Sequence, residues 1–207
     1  MVETEYNPKP IHDLDNITTV DIDNAKIPIA NNLLANKTEY ITPTQLLQNL
    51  KLGLSDSTTQ SFALNTPTPV TFNTQRIVNG IVHSTITDSE EITFPTAGVY
   101  LMTVEPQIGR VAGSNTQVLN LFVQISTDGG TIFNNLADSN IKVTIGNTAE
   151  KTVAPLTQTF SVNANDILRV MVSVEDANLV IQAVVADVII GIPATPSIIA
   201  NIVRIGE

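Results

Sequence analysis

From "TPTPVTFN" at residue 66 onward, the chain is a succession of short apolar runs of strand-forming composition with no helical period between them. The runs cover 70–73, 80–86, 91–94, 98–104, 118–126, 141–145, 153–162, 166–174 and 179–190. Val, Ile, Thr and Phe dominate them, and Gly, Asn, Asp and Pro punctuate them. "STDGGTIF" carries an Asp128-Gly129 turn of the hairpin kind. A chain of many short strands without helices has few ways to bury its apolar faces. The sequence therefore predicts an all-β antiparallel sandwich or jelly roll.

The faces of these runs differ. In "VLNLFVQIS" Leu119, Leu121, Val123 and Ile125 share one side, while Asn120, Gln124 and Ser126 share the other with Phe122, so this strand has one wet side. In 98–104, by contrast, Val99, Leu101 and Thr103 oppose Tyr100, Met102 and Val104, and both sets are apolar apart from the threonine. In "DILRVMVSV" the set Leu168, Val170, Val172 and Val174 is wholly apolar and the opposite set still holds Ile167 and Met171. The run 179–190 is apolar on both sides over much of its length. Two-sided strands of this kind fit neighbours in one sheet whose outer face is buried by another copy of the chain, the alternative being cover from the chain's own N-terminal segment.

Composition narrows the functional classes. With 43 % apolar and 14 % charged residues the chain is not disordered, and much of its surface is neutral. The formal charge is −10, and the ten Lys and Arg are scattered singly from Lys9 to Arg204, so no basic stripe exists to neutralise a phosphate backbone and nucleic acid is excluded as a partner. There is no cysteine, hence no disulfide framework and no thiolate ligand or nucleophile. "MVETEYNPKP" lacks the order of a secretory signal, and "LVIQAVVADVIIGI" is interrupted by Gln182 and Asp187 and too short for a membrane helix. A soluble protein without membrane insertion is expected.

No catalytic, cofactor-binding or metal site is expected. His12 and His83 have no acidic partner at useful spacing and read as turn or strand-surface residues. Glu90 and Glu91 precede a strand and read as a solvated turn. "DIDNAKIPIANN" begins like a calcium loop but has Lys26 where the glycine is needed and Asn32 where the bidentate glutamate belongs.

Residues 1–60 have a different texture. "AKIPIAN" and "TEYIT" read as two short extended pieces around an Asn-rich turn. Thr42-Pro43-Thr44-Gln45 followed by Leu46, Leu47, Leu50 and Leu54 reads as a short helix, with Thr42 as N-cap and Gln45 completing a capping box. The end of the chain, "IPATPSIIANIVRIGE", has Pro193 and Pro196 stopping the last strand. After them Ile198, Ile199, Ile202, Val203 and Ile205 form an apolar tail, a short helix or strand that binds something else or packs back on its own domain.

The order Thr71-Phe72, then Phe94, Pro95, Gly98 and Tyr100, then Asn165-Asp166-Ile167 resembles the jelly-roll domain shared by the complement C1q and tumour necrosis factor families, over roughly residues 67–190. That resemblance implies a C1q/TNF-like antiparallel jelly roll and an obligate homotrimer packed through the sheet that holds the "G-x-Y" strand and the final strand. Tyr100, Met102, Val104, Met171 and Val184 would then form the trimer interface. The chain departs from the family in carrying Asn165 for its glycine, and in having only "EDAN" between the strand at Asp166 and the last long run.

Asp23, Ile27, Pro28, Ile29, Thr38, Ile41, Thr42, Gln45 and Leu46 follow a pattern similar to a segment near the N-termini of tailed-bacteriophage virion proteins, where it joins fibre or receptor-binding domains to the particle. The two resemblances imply a virion attachment segment at 1–60 with Ile27, Pro28, Ile29, Tyr40, Ile41, Leu46 and Leu47 as anchoring residues, a jelly-roll trimerisation domain at 61–192 and an apolar tail at 193–207. The expected function is a capsid decoration or head fibre located in the virion and partnered by itself and other virion proteins. The alternative is a tail-fibre or baseplate protein whose jelly roll binds a host glycan or receptor. Neither is an enzyme.

Overall fold

The computed structural model describes residues 27–29, 39–41, 50–148 and 150–206. The chain divides into two compact units, 1–48 and 49–207. In the first, β1 (Ile27–Ile29) pairs antiparallel with β2 (Glu39–Ile41), Ile27 opposite Ile41 and Pro28 opposite Tyr40. These are the two extended pieces that the sequence predicts.

The second unit is all β among its described residues. Its strands are β3 (Lys51–Asp56), β4 (Gln60–Ser61), β5 (Thr68–Pro69), β6 (Thr74–Asn79), β7 (Val82–His83), β8 (Ile92–Phe94), β9 (Gly98–Arg110), β10 (Gln117–Ser126), β11 (Asn134–Asn135), β12 (Ile141–Ile145), β13 (Thr152–Val153), β14 (Leu156–Val162), β15 (Asp166–Val174), β16 (Leu179–Ile181) and β17 (Ile198–Gly206). One sheet runs β11-β10-β15-β8-β7, with β12 also on β10 and β5 on β15. The other runs β4-β16-β9-β17-β3-β6, with β13 and β14 also paired to β9. The named strand pairings in both are antiparallel. In chain order the path passes between the sheets again and again: β3 and β6 in the second, β7 and β8 in the first, β9 in the second, β10 to β12 in the first, β14 back, β15 across, β17 back. This repeated crossing is the jelly-roll winding.

The core lies between the sheets and follows strict alternation. Tyr100, Met102, Val104 and Ile108 of β9 meet Leu119, Leu121 and Val123 of β10 and Leu168, Val170 and Val172 of β15 within one cluster, which Leu52 and Leu54 of β3 and Ala200 and Ile202 of β17 complete. The "FPTAGVY" element is an aromatic corner of that core. Phe94 packs edge-on against Tyr100 at 4.7 Å and against Phe160 at 5.8 Å, and the Tyr100 hydroxyl donates to the Thr96 carbonyl at 2.8 Å. Gly98 has φ 153°, and a Cβ there would lie 2.5 Å from Arg204 Nε and 2.7 Å from the Gly206 carbonyl, so no side chain fits.

Several expectations change. Leu54 is a buried residue of β3 alternating with Leu52, and Leu50 precedes that strand, so the predicted helix does not extend over them; its remaining span, 42–49, lies outside the described residues. The leucines at helical spacing also include a period-two set, and burial beside β17 selects it. The run 179–190 is strand only over Leu179–Ile181. Asp187 then turns the chain: its carboxylate accepts from the N–H groups of Ile189 and Ile190 at 3.0 and 3.3 Å, and bridges Val184–Thr195 and Asp187–Ile192 form a short hairpin. The residues read as an apolar tail are β17, placed between β9 and β3 in the middle of the second sheet, with Ala200 opposite both Val104 and Leu54. The sandwich thus takes in both 51–56 and 198–206, on the far sides of the boundaries drawn at 60 and 192. His83, read as a surface or turn residue, is buried beside Phe72, with Nε2 bonded to the Ser89 carbonyl at 3.0 Å.

Candidate interaction surfaces

Alternation in β9 fixes which of its two apolar faces points outward. Tyr100, Met102 and Val104 are fully buried between the sheets, so Val99, Leu101, Thr103 and Glu105 form the outer side. Register extends this face across the sheet. Leu101 lies opposite Val203, Thr103 opposite Asn201 and Glu105 opposite Ile199 on β17; Lys51, Gly53 and Ser55 follow on β3, and Ile77 on β6. On the other side of β9 the outward residues are Thr157, Thr159 and Ser161 of β14. A concavity of about 230 Å³ lies over Gly53 at the centre of the face, lined by the apolar Leu101, Val203 and Ile77 together with Lys51, Thr103 and Asn201.

The residues expected at a trimer interface are not brought together. Tyr100, Met102 and Val104 lie inside the sandwich. Met171 is on the first sheet, opposite Phe122, and only 5 % exposed within one chain. Val184 stands at the stem of the hairpin, 38 % exposed. The sequence offered a signal for which set faces outward. Read to the real end of β9, the even positions continue as Pro106 and Ile108, whereas the odd ones become Glu105 and Gln107. Of the expected anchoring residues, Ile27, Pro28, Ile29, Tyr40 and Ile41 belong to the β1–β2 ladder, and Leu46 and Leu47 lie outside the described residues.

The outer side of the first sheet has a different chemistry. Asn120, Phe122 and Gln124 of β10 are half-buried there, as the wet side of that strand predicts. The segment 134–140 folds back along β10. The Leu136 N–H donates to the Val123 carbonyl at 2.9 Å, and buried Ser139 accepts from the Val123 N–H at 3.1 Å and donates to the Leu136 carbonyl at 2.8 Å. Between this segment and β10 lies an open groove of about 560 Å³. Nearby, Arg169 of β15 holds its guanidinium 3.7 Å from the Phe133 ring centre, bonds Glu91 and lies 3.8 Å from Glu90. The two glutamates read as a solvated turn are therefore partners of one arginine.

The buried charged side chains among the described residues include Asp56, Asp166 and Arg110. Arg110 of β9 donates to the Asn115 carbonyl and to the Asp176 carboxylate. The Asp176 carboxyl is held below its ordinary range by the Asn178 backbone N–H first, then by the Asn178 side chain and Arg110, against the opposing effect of burial. Burial pushes the Tyr100 phenol up and the His83 imidazole down. Among the described residues no three His, Asp or Glu side chains converge as metal ligands. The hairpin carries three strongly exposed aliphatic groups, Val185, Val188 and Ile189.

No protein-family model matches the chain, and no curated protein matches it. Among solved structures, the chain is similar to murine APRIL at pH 5.0 (TM-score 0.46, 11 % identity) and at pH 8.0 (TM-score 0.49, 14 % identity), each covering 76 % of this chain and 99 % of the other. The jelly-roll assignment rests on the order of strands and their crossing between the two sheets.

Proposed function

We propose that the chain is a structural component of a bacteriophage particle: a homotrimeric capsid decoration or head-fibre protein, held to the particle by its N-terminal segment. The observation that carries the trimer is the outward face of the second sheet, where Leu101, Val203 and Ile77 surround the concavity over Gly53. Apolar surface at the centre of a broad, otherwise polar sheet favours burial against another copy. The C1q/TNF-like order of the sequence supports three copies, packed through the sheet of β9 and β17. The particle assignment rests on the "IPIAN…TEYITPTQLL" pattern, whose two extended pieces form the β1–β2 ladder. The role is assembly, and no catalytic step belongs to it.

Light scattering on the purified chain, diluted through the micromolar range, tests the trimer; a stable monomer overturns it. Antibody labelling of purified particles in the electron microscope tests location. Removal of residues 1–48 is expected to leave the trimer intact and abolish incorporation. Particles carrying the truncated chain at full occupancy would place attachment in the jelly roll instead.

A further inference from the structure

We infer that the groove between β10 and the segment 134–140 is a binding site for a neutral saccharide. The inference goes beyond the structural role and does not rest on it, because the groove is formed within one chain, on the opposite sheet from the proposed trimer face.

The lining carries the argument. Asn120, Asn135 and Asn140 present amides, Asp138 a carboxylate, Phe122 an aromatic ring and Leu136 an aliphatic wall. An amide both donates and accepts, as a sugar hydroxyl does, so a row of amides satisfies vicinal hydroxyls in a way that a row of cations or of aliphatic groups does not. The half-buried Phe122 ring offers an apolar platform for the C–H face of a pyranose, with an amide on either side of it. No Lys or Arg is among the lining residues, the nearest by register being Lys142 opposite Asn120, and the lining's own charge is the Asp138 carboxylate, which opposes a phosphate, sulfate or sugar carboxylate. The same lack, with the net charge of −10, disfavours a stacked single-stranded nucleic acid.

The site is also built. The Gln124 amide donates to Asn135 Oδ1 at 2.9 Å, and Asn140 Nδ2 donates to Asn120 Oδ1 at 3.3 Å, which leaves each acceptor amide's own N–H₂ free to be directed at a ligand. Ser139 pins the wall to the backbone of β10, and Asp138 sits in the left-handed conformation, φ 58°, that carries the chain over the groove. The volume of about 560 Å³ falls within the range of about 300–1,000 Å³ seen for small-ligand sites.

The test uses the full chain on an array of neutral oligosaccharides of hexose and N-acetylhexosamine units, alongside sialylated and sulfated ones, with calorimetric titration of the strongest neutral sugar. Binding to a neutral sugar is expected, weakened about tenfold or more by Phe122→Ala and by Asn135→Ala. Val188→Ser, on the exposed hairpin, leaves it unchanged. Thermal melting of each variant shows that the fold is retained, and if Phe122→Ala fails to fold, Asn135→Ala decides. Binding only of anionic sugars, binding of none, or binding that survives loss of both the ring and the amide overturns the inference. None of these outcomes depends on whether the chain is a trimer or belongs to a particle.

Discussion

Gly53→Arg separates assembly from folding. A Cβ added at Gly53 meets Asn201 Oδ1 at 3.5 Å and Ile77 Cβ at 3.6 Å, ordinary contact distances, so the single chain accommodates a side chain there. Replacing glycine inside a strand also removes an entropic penalty of about 0.5–1 kcal/mol. The folded chain is therefore expected to hold or gain stability. The same side chain fills the concavity of about 230 Å³ at the centre of the proposed contact. The nearest outward residues on β3 and β17 are Lys51, Asn201 and Val203, and the face's carboxylate, Glu105, stands two strands away on β9, two residues beyond the Thr103 that is in register with Gly53. A guanidinium desolvated there without a partner costs about 3–5 kcal/mol, roughly two to four powers of ten in an association constant for each copy. Sedimentation equilibrium from micromolar concentration upward, with far-ultraviolet circular dichroism on the same samples, reads both effects. The expected result is a monomer with an unchanged strand spectrum. A Gly53→Arg trimer as stable as the parent would show that this face is not the contact, and the apolar patch around Leu101 would need another explanation.

Three further outcomes follow from His83, Asp176 and Asn165. Burial holds the His83 imidazole below its ordinary value, against the pull of its Ser89 hydrogen bond. The unfolded chain therefore binds the proton first, so stability is full above pH of about 6.5 and falls as pH drops below it toward the folded-state value. Urea midpoints across that window should show the slope, and His83→Gln should flatten it. The lowered Asp176 carboxyl acts in the same direction in a more acid window: its contribution is present above about pH 4 and is lost as pH falls toward the folded-state value, so Asp176→Asn should flatten the acid limb of the stability profile. Asn165 has φ 70°, so Asn165→Gly should be close to neutral, while Asn165→Val should destabilise by about 1–2 kcal/mol in chemical denaturation.

The sequence carried the architecture through alternation. Leu119, Leu121 and Val123 against Asn120, Phe122 and Gln124 gave both the core side and the wet side of β10, because one solvated face leaves a polar record. β9 was ambiguous for the converse reason: with both faces apolar between Val99 and Val104, parity is settled only by the polar residues beyond, Glu105 and Gln107. Asn165, which stands where the resembled pattern has glycine, holds a left-handed backbone that asparagine tolerates. The place of β17 was not legible. Composition shows an apolar strand after Pro196, but its neighbours β3 and β9 are set by long-range pairing that no local pattern encodes. The groove escaped for a related reason: its amides come from β10, from β11 and from the segment after it, and only the fold-back at Leu136 sets them facing one another.

The pairing of β3 with β17 also settles how this sandwich can be transplanted. Lys51, where β3 begins, lies opposite Val203 near the end of β17, so the backbone comes into the jelly roll and goes out of it one strand spacing apart, about 5 Å. Two ends that close together match the gap across a surface hairpin. Residues 50–206 could be spliced into a loop of an unrelated carrier without stretching either backbone, and the carrier would in turn hold the two middle strands of the second sheet in register. A permuted chain that joins Gly206 back to Leu50 through a short linker and opens instead at the Asp128-Gly129 turn should keep every strand neighbour it has now.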